Sequence, residues 1–396
     1  MLARVVVERW RRDLPVLGDL NQRLVLDVIR RQPDGIGRVA VGAATGLTPQ
    51  TVSNIVRRLA ESGLVGEGER VRTPRGKPPT LLHIERTRHV SVGIHIDPAL
   101  VSALSMDLGG GVHRVASTPT PPDVTPDTVA GLVRDLTDEV LSEWPGAEPD
   151  TVLGVGVAAP GPIDLKGGRI RQPPQLHGWA DVPLVATLRE ALDRPVLLDK
   201  DVLAAVTGEH WAPDGPGDDF LYVYLGSGLA VGACLAGRVH RGTTNNAGEI
   251  AGLLDQVPTP HSLIAQAAEL GILPTAAPSY SEVRPAFEQL CRLAGDDVRI
   301  DALLTEAADQ LGRGIATLVN VLDVGRIVLG GPSWPPVSHH WLRMLPGQVA
   351  PRLSTRDDVR VEGSRLADHG SAYGAAALVL HHFLAPASAL RLVKSK

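Results

Sequence analysis

At 396 residues, with 43% hydrophobic and 21% charged side chains, the chain is long enough for two or three domains with substantial cores and has the balance of an ordinary globular protein. Its two cysteines, Cys234 and Cys291, exclude a disulfide framework and a paired-cysteine metal half-site, and no apolar run reaches about 18 residues, so the expectation is a cytoplasmic protein without membrane span or export signal. The net charge of −5 is unevenly shared: residues 1–89 carry 16 Lys and Arg against 9 Asp and Glu, whereas residues 90–396 carry 23 against 35, a basic head on an acidic body that suits a polyanion-binding module joined to something else.

The first periodic segment, Leu20–Arg31, carries a helical stripe of Leu20, Leu24, Val25, Val28 and Ile29 and is closed by Gln32-Pro33-Asp34-Gly35. Arg38–Thr45 reads as a short second helix, Gly46-Leu47 as a tight turn, and Thr48 as the N-cap of a third helix with Pro49 in its first position and Val52, Ile55, Val56 and Leu59 on its inner face. This is a helix-turn-helix pattern. Gln50, Thr51, Ser53 and Asn54 are left outward at the start of the third helix, with Thr48 capping it, as short polar groups able to read base edges; Arg57 and Arg58 follow where phosphates would lie. Gly66–Thr80 then forms a basic hairpin-like wing whose tip, Pro74-Arg75-Gly76-Lys77-Pro78, offers Arg75 and Lys77 to a narrow minor groove. A DNA-binding domain over residues 1–84 is expected, with double-stranded operator DNA as the partner.

Beyond it, Val90–Ile96 and Val101–Asp107 read as paired strands, Val129–Trp144 as a helix, Val152–Ala158 as a strand entering the turn Ala159-Pro160-Gly161-Pro162, and Val182–Leu192 as a helix. Val196–Asp199 is a buried strand ending in Asp199-Lys200-Asp201. Phe220–Leu225 and Leu229–Leu235 flank Gly226-Ser227-Gly228, a hairpin whose glycines could admit a polar ligand such as a sugar or phosphate. Helices over Ser262–Ala268, Ser281–Ala294, Asp301–Asp323 and Gly370–Phe383, and a strand Arg326–Leu329, complete two α/β halves. His339 and His340, beside Trp341, read as part of an exposed loop or helix cap.

Gly154–Pro162, Gly178-Trp179, Pro195–Ala205, the hairpin followed by Gly248-Glu249-Ile250, Leu329-Gly330-Gly331 and Gly370–Ala376 occur in one order that resembles the ROK family of repressors, open reading frames and kinases. The resemblance implies an α/β chain in which a winged helix-turn-helix precedes a two-lobed actin-like, ribonuclease-H-like sugar-kinase fold. The lobes would comprise residues 85–199 plus 378–396, and residues 200–377 with the effector cleft and dimerisation surface. It also implies a sugar bound in the cleft, and dimers or dimers of dimers.

Several residues depart from the kinase pattern that the resemblance brings with it. Where kinases wrap ATP phosphates in a D-x-G-G-T turn, this chain has His95, Asp97 and Pro98; a carboxylate facing phosphate costs on the order of 1–4 kcal/mol, and proline removes an N–H donor. The catalytic aspartate of the family matches Asp201, but Lys200 replaces the sugar-binding asparagine, either favouring an anionic ligand or neutralising Asp199 and Asp201. Glu249 matches the sugar glutamate; Gly252 replaces the histidine that binds zinc and sugar, and the three-cysteine run is absent. Gln175 stands where an asparagine is usual. The expectation is therefore a DNA-binding regulator, a repressor, that senses a sugar or sugar phosphate through Gln175, Lys200, Asp201, Gly228 and Glu249, with no catalytic residue, metal or cofactor. The alternatives are a bifunctional ATP-dependent sugar kinase, or a regulator controlled by a protein partner.

Overall fold

The computed structural model describes residues 20–70, 80–122, 124–144, 151–174, 176, 178–250, 258–274, 280–354 and 358–384. At the N-terminal end, α1 (Leu20–Arg30), α2 (Arg38–Thr45) and α3 (Pro49–Glu61) enclose Val25, Leu26, Ile29, Val41, Val52, Ile55, Val56 and Leu59, all buried. The turn between α2 and α3 needs Gly46, whose φ of 70° closes α2 in the left-handed region. The N-cap is the expected one: Thr48 Oγ1 accepts from the Thr51 N–H at 3.3 Å. Strands β1 (Ile36–Gly37), β2 (Val65–Arg70) and β3 (Thr80–Ile84) form an antiparallel sheet in the order β1-β3-β2. The wing tip with Arg75 and Lys77 lies outside the described residues.

The first lobe is built on β4 (Val90–Ile96), β5 (Leu100–Asp107), β6 (Val112–Pro119), β7 (Val152–Ala159) and β10 (Val196–Lys200), in the order β10-β7-β4-β5-β6. β4, β7 and β10 run parallel and β4-β5-β6 antiparallel. The short pair β8 (Ile163–Asp164) and β9 (Arg169–Ile170) follows β7. Val90, Val92, Ile94 and Ile96 face α4 (Pro126–Leu141) and α5 (Leu184–Leu192), whose inner residues Val129, Val133, Leu136, Val140, Leu184 and Leu188 complete that core.

The second lobe repeats the plan. Its sheet has the order β13-β12-β11-β14-β15, from β11 (Phe220–Leu225), β12 (Leu229–Leu235), β13 (Arg238–Val239), β14 (Arg326–Gly330) and β15 (Arg360–Gly363). The hairpin register pairs Phe220 with Cys234 through Leu225 with Leu229, closed by the Gly226-Ser227-Gly228 turn, and both strands are buried on both faces. One face carries α7 (Pro260–Glu269), α8 (Tyr280–Arg292), α9 (Val298–Leu322) and α10 (Trp334–Val349); the other receives α6 (Asp201–Trp211) through Phe220, Tyr222 and Tyr224. Both cysteines are buried.

Between the sheets, α6 packs directly on α11 (Gly370–Leu384), whose first eight residues are all Gly, Ala or Ser except Tyr373. Val202 to Glu209 of α6 are all buried, as a helix covered on every side must be. The approach is backbone to backbone: a Cβ at Gly374 would enter the Ala204 carbonyl, and one at Gly93 or Gly156 would enter the carbonyls of Ala372 or Ala375 on α11. β10 runs to Lys200 and α11 runs unbroken through position 378, so the proposed lobe boundaries at 199/200 and 377/378 fall inside elements.

Sequence expectations needed correction in the second lobe above all. His339 and His340 are in the interior of α10, not in a loop or cap; Pro335 and Pro336 occupy its first turn, where no N–H donor is required. In the first lobe, β6 occupies residues between Asp107 and the helix expected from Val129 to which the sequence assigned no element.

Gly374→Ala is expected to cost at least about 3 kcal/mol in urea denaturation, since neither backbone can yield. Gly131→Ala on α4, where nothing lies within 4 Å of an added Cβ, is expected to gain about 0.5–1 kcal/mol.

Candidate functional site

Two surfaces collect the residues singled out by sequence, and one helix joins them. On the first, α3 shows Gln50, Ser53, Arg57 and Arg58 as exposed side chains, with Thr51 and Asn54 half-buried between them and Thr48 at the cap. Arg57 Nη2 donates to Asn54 Oδ1 at 3.3 Å, and Thr48 Oγ1 lies 2.9 Å from Thr51 Oγ1. Such local bonds hold side chains in place while leaving other donors outward. Four hydrophobic residues tie the opposite face of α3 into the head, so the polar stripe is fixed relative to the wing strands.

The second surface is the cleft between the lobes, at the junction of β10 and α6. Lys200 ends the strand with its side chain only 3% exposed, and its Nζ lies 2.5 Å from Glu249 Oε1; the Glu249 side chain is 70% exposed. Glu249 is brought there because Ala230 of β12 pairs with it in an antiparallel bridge and Val231 N donates to Gly248 O at 2.9 Å. Gly228 sits at the mouth of the same hairpin, where Gly226 N donates to Gly228 O at 2.9 Å. Asp201 starts α6, accepts from Val202 N at 2.7 Å, and is pushed up to about 7 by loss of water, against the opposing pull of that N–H and of Lys200. Lys200, Asp201 and Glu249 are therefore gathered where the two lobes meet, and Gly228 lies in the turn of the hairpin whose second strand pairs with Glu249. Gln175, Gly252 and residues 253–257, where the zinc motif was sought, lie outside the described residues.

Lys200 does not neutralise Asp199, contrary to one of the two sequence readings. Arg241 Nη1 takes that part, 2.6 Å from Asp199 Oδ1, and leaves Asp199 Oδ2 buried without a hydrogen-bond partner. Arg241 and Asn246 were missed by sequence reasoning. Asn246 donates from Nδ2 to Ile163 O at 3.0 Å and accepts from Ile163 N at 2.7 Å, pinning the loop after Gly161, whose peptide to Pro162 is cis, against the cleft. Their only signal was polarity in the run Arg241-Gly242-Thr243-Thr244-Asn245-Asn246 after a hairpin.

The turn that would face phosphates is closed by the protein itself. Asp97 Oδ1 accepts from Ser227 Oγ at 2.9 Å and from Ala99 N at 2.9 Å, so a carboxylate of one lobe is held by the glycine turn of the other. Deeper in, Tyr224 Oη lies 3.1 Å from His95 Nε2; burial lowers the pKa of this histidine, so the ring is neutral.

The joint lies at the far end of α6. Arg30 of α1 is buried, places its guanidinium carbon 3.7 Å from the Trp211 ring centroid, and donates from Nη1 to Trp211 O at 3.2 Å, with Asp27 as its counter-ion at 3.2 Å. The other side of the indole meets His381 of α11 edge-on at 6.0 Å. Burial pushes the His381 pKa down to about 4, so this contact is made by an uncharged ring. Val25, Leu26 and Ile29 join Leu104, Met106, Tyr373, Ala376 and Leu380 in one apolar cluster, which fuses head and body. Among the described residues, no group of three or more His, Cys, Asp or Glu side chains is placed to hold a metal, and no helix is long and apolar enough to cross a membrane.

The model of the ROK family matches residues 93–382. The xylose repressor of Caldicellulosiruptor bescii is 24% identical over an alignment covering 93% of this chain and 97% of that protein. A crystal structure described as a ROK family transcriptional regulator, homologous to the Mlc protein of E. coli, superposes with a TM-score of 0.71 at 18% identity over 92% of this chain and 98% of that one. A ROK hexokinase from Thermus thermophilus superposes with a TM-score of 0.57 at 25% identity, covering 73% of this chain and 97% of that one.

Because the Asp201 carboxyl has its pKa raised from 3.8 to about 7, its protonated form stabilises the fold fully below pH about 4, and that contribution is lost as pH rises toward 7. Comparing Asp201→Asn with the parent by chemical denaturation at pH 4 and pH 8 should show the variant gaining on the order of 2–4 kcal/mol relative to the parent at the higher pH.

Proposed function

The chain belongs to the ROK family, and on that premise we propose that it is a DNA-binding transcriptional repressor whose kinase-like body senses a sugar or sugar phosphate without transferring a phosphoryl group. The observation that carries the proposal is the joint. Asp201, at the first residue of α6, stands in the cleft, and Trp211, at its last, carries Arg30 of the head. A helix of 11 residues spans about 16 Å, so the two sites are the ends of one rigid element. A ligand that changes lobe closure at Lys200, Asp201, Gly228 and Glu249, with Gln175 as a further expected contact, turns α6 and with it the head.

Gln50, Thr51, Ser53 and Asn54 are the base-reading residues in this proposal, with Thr48 ordering them, and Arg57, Arg58, Arg75 and Lys77 take phosphates or the minor groove. In a dimer, two such heads would meet half-sites about 34 Å apart or a multiple of it, and rotation of each head would spoil that spacing. The full-length relative named a xylose repressor supports the regulatory reading.

Against phosphoryl transfer stand the carboxylate of Asp97 at the glycine turn and Pro98 beside it, which leave the nucleotide phosphates facing negative charge and one donor short. The kinase reading draws on the superposition with a ROK hexokinase and on the Asp201 carboxyl at about 7, where a general base would be poised. Coupled ADP release separates the two: turnover of about 1–100 per second with any sugar would overturn the proposal.

Genomic fragments selected by binding to the full-length protein, then titrated in mobility shift from about 50 to 200 mM salt, test the DNA half. The expected result is a steep loss of affinity with salt, with Arg58→Ala lowering the slope by about 1 and Gln50→Ala relaxing sequence preference instead. A salt-independent affinity would overturn it. Arg30→Met is expected to keep DNA binding while weakening its response to ligand severalfold.

A further inference from the structure

Resting on the reading of the cleft as the effector site, we infer that Lys200 selects a ligand carrying an acidic group, the carboxylate of a sugar acid or the phosphate of a sugar ester, in preference to a neutral sugar. A buried ammonium requires a counter-anion, because an unpaired buried charge costs several times more than a hydrogen bond returns. Lys200 is 3% exposed on its side chain, and its ion-pair partner in the structure is Glu249 at 2.5 Å. The other nearby charges are already engaged or unsuited. Asp199 is held by Arg241 at 2.6 Å, Asp201 spends its Oδ1 on Val202 N, and Asp97 is bonded to Ser227 across the lobes.

Glu249 differs from these in being 70% exposed, so it can swing to water and recover full hydration. It covers the ammonium without being buried by it. An incoming acid group can therefore take over the role of Glu249 one for one: the ion pair is exchanged, the buried cation is never left alone, and the displaced carboxylate returns to solvent. A neutral sugar has no such exchange. It must either leave Glu249 across the ammonium, or move it and leave the cation with hydroxyl dipoles and the adjacent Asp201 carboxyl, which burial holds toward its neutral form. The Lys200 stem packs beside Gly161, where an added Cβ would come within 3.1 Å of Lys200 Cε and 3.2 Å of Asn246 Oδ1. That wall holds the ammonium at the cleft and prevents it from following Glu249 outward.

The test uses the full-length protein and matched probes on glucose, galactose, mannose and xylose frames: the neutral sugar, its carboxylate and its phosphate ester, with inorganic phosphate as a separate arm. Affinities come from thermal shift and calorimetry. The expected result is that an acidic member binds at least tenfold tighter than its neutral parent. Lys200→Asn, which keeps a good N-cap for α6, should remove that advantage by at least tenfold. Glu249→Gln, at an exposed position, should strengthen acidic ligands severalfold by removing the internal competitor. The proposal is overturned if a neutral member binds as tightly as the acids, if Lys200→Asn leaves acid binding unchanged, or if no member binds. It is overturned as well if inorganic phosphate alone binds as tightly as the esters. The arms with carboxylates and with phosphate esters tell the two acid types apart. Mobility shift with the same ligands reads the sensor function separately: an acid that binds without changing DNA affinity refutes the sensor reading and leaves the acid preference standing.

Discussion

Everything in this molecule depends on the contact of α6 with α11. Two sheets, each covered on its outer face by helices, must share one interior, and the only way to place both inner faces against a common helix pair is to bring those helices together at backbone distance. Gly374 against the Ala204 carbonyl, and Gly93 and Gly156 against α11, supply that closeness. The cost is a helix without a solvent face; the return is that α6 begins in the cleft and ends at the head with no flexible segment between. Cleft and head are thereby parts of one packed body, with Trp211 touched by Arg30 on one side and His381 on the other.

The cleft is a place where charges have been matched internally. Three anionic positions meet three different partners: Asp97 a hydroxyl across the lobes, Asp199 an arginine, and Glu249 a lysine. Their burial separates their roles. Asp199, 1% exposed and with one oxygen unpaired, cannot exchange its partner cheaply, so its pair with Arg241 is structural. Glu249 can exchange at little cost. Where the lobes meet, the chain thus carries an acidic group at the glycine turn, Asp97, and a buried cation at the end of β10, Lys200.

How much of this was legible in the sequence follows from the range of the interactions. The head was readable because its signals are local: a cap at Thr48, a left-handed glycine at 46, and a four-residue inner face on α3. The hairpin over 220–235 was readable because two continuous apolar runs flank a short glycine turn. α10 was not, since Pro335, Pro336 and Pro346 look like breakers until their places in the helix are known. The pairing of Arg241 with Asp199 joins residues 42 positions apart, and that of Arg30 with Trp211 joins residues 181 apart; no periodicity encodes such meetings. Motif order located Lys200 and Glu249 in the cleft, yet which acid the lysine meets is decided by where the Gly248 bend lies against β12, a tertiary fact.

In the proposed function the path through α6 carries information in both directions. Any factor by which an occupant of the cleft changes affinity for DNA must equal the factor by which DNA changes affinity for that occupant. Copies seated on an operator and copies free in solution therefore answer to different ligand concentrations. In that reading the Arg30–Trp211 joint makes the operator itself an effector, and bound and free copies respond to the cleft's occupant at different concentrations.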